Sequence, residues 1–159
     1  MIQAKTAQLF AAASRIGAVL AGRPTDEEKA LEIYGRNLGI AFQLVDDMLD
    51  YSARQTELGK TVGDDFREGK ITLPVVLALR SASEAERGFW RRTLEELEQQ
   101  EGDLARAIEL MTRHGTLRAT LDRARHYGEA ARRALAPFRD GTERRALEEA
   151  IDFCLARGY

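Results

Sequence analysis

Leu38-Gly39-Ile40-Ala41-Phe42-Gln43-Leu44-Val45-Asp46-Asp47-Met48-Leu49-Asp50-Tyr51 carries only Gln43, Asp46, Asp47 and Asp50 as polar side chains before its closing tyrosine. At about 100° per residue, these side chains fall within one helical stripe roughly 100° wide. Ile40, Ala41, Phe42, Leu44, Val45, Met48 and Leu49 cover the rest of the circumference. A helix apolar on most faces is a buried one, so this helix is predicted to carry its acids inward. The placement is costly: two carboxylates about 6 Å apart repel by ~3 kcal/mol at an effective dielectric of about 20, and desolvation adds to this. No lysine or arginine lies three or four residues from Asp46 or Asp47, and the one at that distance from Asp50, Arg54, falls beyond the predicted end of the helix. A counter-charge must therefore arrive from elsewhere in space. Oxygen-only donors suit Mg²⁺, which takes one or two carboxylates and completes its shell with phosphate oxygens and water. The plainer reading, an exposed acidic turn at a helix C-terminus, conflicts with the negative end of the helix dipole.

Working outward, the helix opens at Thr25-Asp26-Glu27-Glu28, which reads as a capping box with acids in the first turn, and runs to about Ser52. An earlier helix spans about Ala4 to Ala21 and stops at Ala21-Gly22-Arg23-Pro24. Downstream, a polar segment from Ala53 to Lys70 reads as a glycine-containing loop. Within it, Gly59 to Lys70 holds three glycines and two lysines, which permit close backbone approach and supply point charges for phosphate. Further helices are predicted over Thr72–Ser81, with Pro74 in the first turn, over Ser83 to about Gln100 from a second capping box, and over Asp103–His114, Thr116–Leu135 and Glu143–Ala156. No alternating pattern is long enough for a sheet. The fold class is all-α, a helical bundle, read as a single helical domain over residues 1–159. Trp90 with Phe89 and Leu94 reads as core or as a subunit contact; the arginine-rich helix around His126 and Tyr127 reads as a solvated face.

The 159 residues are 44% hydrophobic and 31% charged, with net charge −2. That balance gives no electrostatic basis for nucleic-acid binding. A single cysteine, Cys154, leaves no internal disulfide framework and fits a reducing, cytoplasmic setting. No stretch is apolar for the length of a transmembrane span.

Phe42-Gln43-Leu44-Val45-Asp46-Asp47-Met48-Leu49-Asp50 resembles the second aspartate-rich motif of the trans-isoprenyl diphosphate synthases, or polyprenyl synthetases. The stretch GKTVGDDFREGKITLP, Gly59 to Pro74, is similar to the segment that follows it in bacterial members. Lys5-Thr6-Ala7-Gln8-Leu9-Phe10 resembles the start of the preceding helix, and Phe153 to Tyr159 a C-terminus of the family. The motifs occur in family order and spacing over essentially the whole chain.

The resemblance implies the C-terminal portion of the isoprenoid synthase fold. It also implies Mg²⁺-dependent condensation of an allylic diphosphate with isopentenyl diphosphate. By position, Asp46 and Asp50 would ligate Mg²⁺, and Asp47 would do so directly or through water. Lys5, Lys60 and Lys70 would neutralise the diphosphate. Thr6 and Gln43 would lie near the reacting carbons, where their dipoles stabilise a cation and assist proton removal. The family is usually homodimeric, and the bacterial style of residues 59–74 leans toward a long-chain product.

Family members are about twice this long, and the aspartate motif and basic residues of their first half have no counterpart here. The chain therefore reads as the second half of a longer enzyme, inactive alone, with some normally buried apolar surface exposed and prone to self-association. The alternative is a non-catalytic helical subunit that pairs with a partner carrying the first half.

Overall fold

The computed structural model describes residues 6–52 and 62–158. In chain order the helices are α1 (Thr6–Leu20), α2 (Thr25–Leu49), α3 (Asp64–Arg67), α4 (Leu73–Ser81), α5 (Glu84–Trp90), a π-helical turn (Arg91–Glu95), α6 (Asp103–Arg113), α7 (Thr116–Ala134) and α8 (Thr142–Ala156). Among the described residues there is no strand. The all-α class predicted from the sequence is the class observed. The chain forms two compact units, Met1–Val45 with Asp122–Tyr159, and Asp46–Leu121.

In the first unit α1 and α2 form an antiparallel pair. Small residues allow the close approach. A Cβ on Gly39 would lie 2.8 Å from the Ala7 Cα, and one on Gly35 would collide with the Phe10 carbonyl. Ala7, Ala11 and Ala18 make the buried side of α1. Tyr34, Leu38, Ala41, Ala131, Leu135, Ile151 and Cys154 form the core, and the Tyr34 hydroxyl donates to the Leu147 carbonyl at 2.9 Å. Burial, with Cys154 beside it, pushes the Tyr34 phenol up to about 12.

The outer side of α1 is also apolar. Leu9, Ile16 and Leu20 are 70%, 57% and 82% exposed. With Ala13 they follow a four-three-four spacing, the seam of a coiled coil. Beside this stripe a groove between α1 and α2 is lined by Gln8, Ala12, Arg15, Val19 and Glu32.

The second unit is built around Tyr51, Phe66, Val75, Trp90, Leu110 and Met111. Burying each large apolar side chain contributes about 1.5–3 kcal/mol. Trp90 and Leu94 are core, as read from the sequence.

Four boundaries differ from the sequence reading. At α2 the Glu28 amide donates to the Pro24 carbonyl at 3.1 Å. Thr25 thus begins the helix rather than capping it. α2 ends at Leu49 instead of near Ser52, as the amides of Tyr51 and Ser52 tighten onto Met48 and Leu49. Asp64–Arg67, read as loop, is a helical turn entered through Gly63 at φ 84°.

The helix predicted from Ser83 to Gln100 makes its capping box with Glu86 but ends at Glu95. Leu97 adopts φ 57°. The Arg92 guanidinium donates to the Glu98 carbonyl at 2.5 Å and to both Asp103 oxygens at 2.9 and 2.8 Å. The Gln99 amide donates to the carbonyls of Phe66 and Thr93 at 2.8 and 3.0 Å. These tertiary partners override a helix propensity that amounts to only a few tenths of a kcal/mol per residue.

Candidate functional site

Helix α2 carries the residues singled out from the sequence. In its C-terminal third the Thr6 hydroxyl donates to Gln43 Oε1 at 2.9 Å. Two candidates 37 positions apart thus meet directly, because the alanine and glycine seam brings the start of α1 against α2. Phe42 beside them packs against Phe10, with centroids 5.6 Å apart, and carries the Arg157 guanidinium 5.2 Å above its ring.

At the C-terminal end of α2 the carboxylates turn inward, as the periodicity predicts. Asp47 is 4% exposed and Asp50 7%; Asp46 is half-buried. Asp50 lies one residue beyond the helix, its amide still bonded to the Asp46 carbonyl at 3.1 Å. Its two carboxylate oxygens accept the amides of Asp64 and Asp65 at 3.2 and 3.0 Å, and its carbonyl accepts the Gly63 amide at 2.7 Å. Burial nevertheless raises the Asp50 carboxyl above the ordinary range. The two amides pull it back down, while the acids Asp65 and Asp64 push it further up.

Lys70 continues this network. Its ammonium donates to Asp65 Oδ1 at 2.9 Å and pairs with Glu68 at 2.8 Å. These contacts, the Glu68 one first, hold it firmly protonated. Lys70 is exposed. Lys5 and Lys60 lie outside the described residues.

Three hydroxyls next to the aspartates went unnoticed in the sequence. Tyr51 Oη, Ser52 Oγ and Thr72 Oγ1 are buried and, among the described residues, have no partner that meets hydrogen-bond geometry. Burial drives the Tyr51 phenol far above its usual pKa; Thr72 opposes the shift, and Asp50, Asp65 and Asp47 reinforce it. Buried polar atoms without partners are rare and costly. Tyr51 reads in the sequence as the aromatic end of an apolar helix, and only its surroundings reveal the polar demand. The Asp65 contact was likewise hidden in a stretch read as loop, although a glycine followed by two acids is a helix-start signal.

The donors at the end of α2 are all oxygens. Among the described residues, no three or more His, Cys, Asp or Glu side chains converge on one point. A pair of carboxylates completed by phosphate oxygens and water fits a hard divalent ion such as Mg²⁺; an all-protein cage does not. Among the described residues, no helix is long and apolar enough to cross a membrane.

The Polyprenyl synthetase family model matches residues 1–111. The octaprenyl diphosphate synthase of Haemophilus influenzae is 38% identical over 159 residues, covering all of this chain and 48% of that protein. A solved polyprenyl synthase from Caulobacter crescentus, complexed with calcium and isoprenyl diphosphate, is 52% identical with a TM-score of 0.93. The match covers 99% of this chain and 48% of that one. A decaprenyl diphosphate synthase from Rhodobacter capsulatus is 49% identical, also with a TM-score of 0.93, over 99% of this chain and 49% of that one. The chain spans about half the length of the curated relatives it matches. The family model, the relatives and the two folds agree: this chain belongs to the polyprenyl synthetase family.

Proposed function

We propose that this chain supplies the second carboxylate cluster of a Mg²⁺-dependent prenyltransferase, which joins an allylic diphosphate to isopentenyl diphosphate. The observation that carries the reading is the inward placement of Asp47 and Asp50 at the end of a helix apolar on its other faces. A buried acid cluster is expensive, and a divalent ion with a diphosphate offsets that cost.

In the reaction the allylic C1–O bond breaks, and the electron pair leaves with pyrophosphate. The isopentenyl double bond attacks the allylic cation, forming the new C–C bond, and the adduct loses a proton. A bound divalent ion supplies charge stabilisation for the departing pyrophosphate.

Asp46 and Asp47 would hold that ion, beside Asp50, the third acid of the motif. Lys5, Lys60 and Lys70 neutralise the diphosphate. The paired Thr6 hydroxyl and Gln43 amide place oxygen dipoles beside the reacting carbons and assist removal of the proton. The isolated chain does not elongate substrates, since a second opposing carboxylate cluster is not encoded in it.

Calorimetric titration with Mg²⁺ and inorganic pyrophosphate tests the reading: binding requires both and is lost in Asp46→Asn. Pyrophosphate binding that ignores Mg²⁺ and survives Asp46→Asn would refute it. Robust elongation by the purified 159-residue chain would refute the claim of inactivity.

A second reading, a non-catalytic helical subunit, draws on the exposed Leu9, Ile16 and Leu20 stripe of α1 and on the half-length match. Mixing this chain with a polypeptide covering the other half of a relative separates the two. If activity appears, Asp46→Ala abolishes it under the first reading and leaves it unchanged under the second.

A further inference from the structure

Three successive amides converge on one residue. Gly63 donates to the Asp50 carbonyl at 2.7 Å, Asp64 to Asp50 Oδ1 at 3.2 Å, and Asp65 to Asp50 Oδ2 at 3.0 Å. Gly63 can present its amide this way because it sits at φ 84°, where a side chain would be strained and would also meet Leu104. Both oxygens of a carboxylate that is 7% exposed are thus committed to the main chain. The contact is relayed outward: Asp65, held by its amide to Asp50, accepts the Lys70 ammonium at 2.9 Å, and the Lys70 amide returns to the Asp65 carbonyl at 2.8 Å.

We propose that Asp50 is a positioning residue rather than a metal ligand. It fastens the 63–65 turn to the end of α2 and, through Asp65, sets where Lys70 stands. This rests on the metal and diphosphate reading above and divides the labour within it: Asp46 and Asp47 face the ion, and Asp50 faces the backbone. The geometry favours the division, because each Asp50 oxygen already holds a main-chain amide and the side chain is 7% exposed, which leaves a divalent ion fewer lone pairs and less access there than at half-buried Asp46. A part-buried N–H that loses its acceptor is penalised.

The test uses the 159-residue chain with and without Mg²⁺ and inorganic pyrophosphate. In the metal-free protein, amide exchange at Asp64 and Asp65 is slow in the wild type and in Asp46→Asn, and at least about tenfold faster in Asp50→Asn. With Mg²⁺ and pyrophosphate, Asp50→Asn weakens binding about tenfold without changing the number of ions bound, whereas Asp46→Asn removes metal-dependent binding.

A wild-type measurement stands if Asp50→Asn does not fold. On adding Mg²⁺ and pyrophosphate, the side-chain carboxyl ¹³C signals of Asp46 and Asp47 move and that of Asp50 does not. Unchanged exchange in Asp50→Asn, or an Asp50 carboxyl signal that moves as far as its neighbours', would overturn the assignment. Wild-type protein that binds no magnesium pyrophosphate would sink the metal reading, while the metal-free exchange experiment would still decide what Asp50 does.

Discussion

The C-terminal end of α2 and the outer face of α1 depart from ordinary side-chain placement in opposite senses. At the first, carboxylates are buried; at the second, Leu9, Ile16 and Leu20 stand in solvent. Both begin as the same kind of sequence signal, an apolar helix with a periodic stripe. The difference lies in what meets each stripe. At the end of α2 the amides of residues 63–65 meet Asp50. On α1, Ala7, Phe10 and Ser14 meet the glycines of α2, and Leu9, Ile16 and Leu20 face outward. A helix apolar on two sides is adapted to two neighbours, and within the first unit α1 is packed on its small-residue side.

The sharpest way to break this comparison is to change the acids. Asp46→Asn is expected to lower Mg²⁺-dependent pyrophosphate affinity by at least about a hundredfold, more than loss of an outer-shell partner costs, with the thermal midpoint nearly unchanged. Calorimetry and a melting curve check this together. A large drop in Tm with little change in affinity would make the acid a fold residue.

Next in size is the seam between α1 and α2. Gly39→Val forces a methyl-bearing carbon against the Ala7 backbone and is expected to cost about 1–3 kcal/mol, read from urea unfolding. The same variant should disturb the Thr6 to Gln43 hydrogen bond, visible as a shift of the Gln43 side-chain amide signals. A neutral result would mean that α1 and α2 are not seated by close approach.

A smaller effect concerns the Arg92 clamp. The guanidinium beside Asp103 holds that carboxyl below the ordinary carboxylate range, with the Gln100 amide assisting and burial opposing. Since the folded pKa is depressed, the contribution is complete above the unfolded value of about 4 and is lost as pH falls through the folded value. Melting curves of the wild type and Asp103→Asn should differ at neutral pH and converge below about pH 4. Equal separation at all pH values would remove the clamp from the account of why the predicted helix stops at Glu95.

The smallest expected stability change is on α1. Replacing Leu9, Ile16 and Leu20 individually with Gln should alter stability by no more than about 0.5 kcal/mol each, as for other surface positions, and should reduce self-association seen by sedimentation. A cost of several kcal/mol would mean that these side chains are packed in solution.

The helix content, the all-α class and the carboxylate stripe were legible from residue types and periodicity, because 3.6-residue repetition and local caps are encoded within a few neighbouring positions. The direct hydrogen bond of Thr6 to Gln43 was not legible in the sequence, where the family resemblance only grouped the two residues, and it follows from the packing of α1 on α2 through Ala7 and Gly39. The early end of the helix that begins at Glu84, the π-turn and the left-handed Leu97 were not legible. Each depends on contacts to Glu98, Asp103 and Phe66, which lie outside the local pattern.

From the sequence alone came which residues can be helical, which faces are apolar, and that three acids share one stripe. That Asp50 answers to the amides of residues 63–65 was decided only by the tertiary structure. Asp46, Asp47 and Asp50 are the same residue type on the same helix face, and a stripe cannot rank its members. The return of the chain through Gly63 distinguishes them, because hydrogen bonds depend on distance and direction in space and not on separation along the chain.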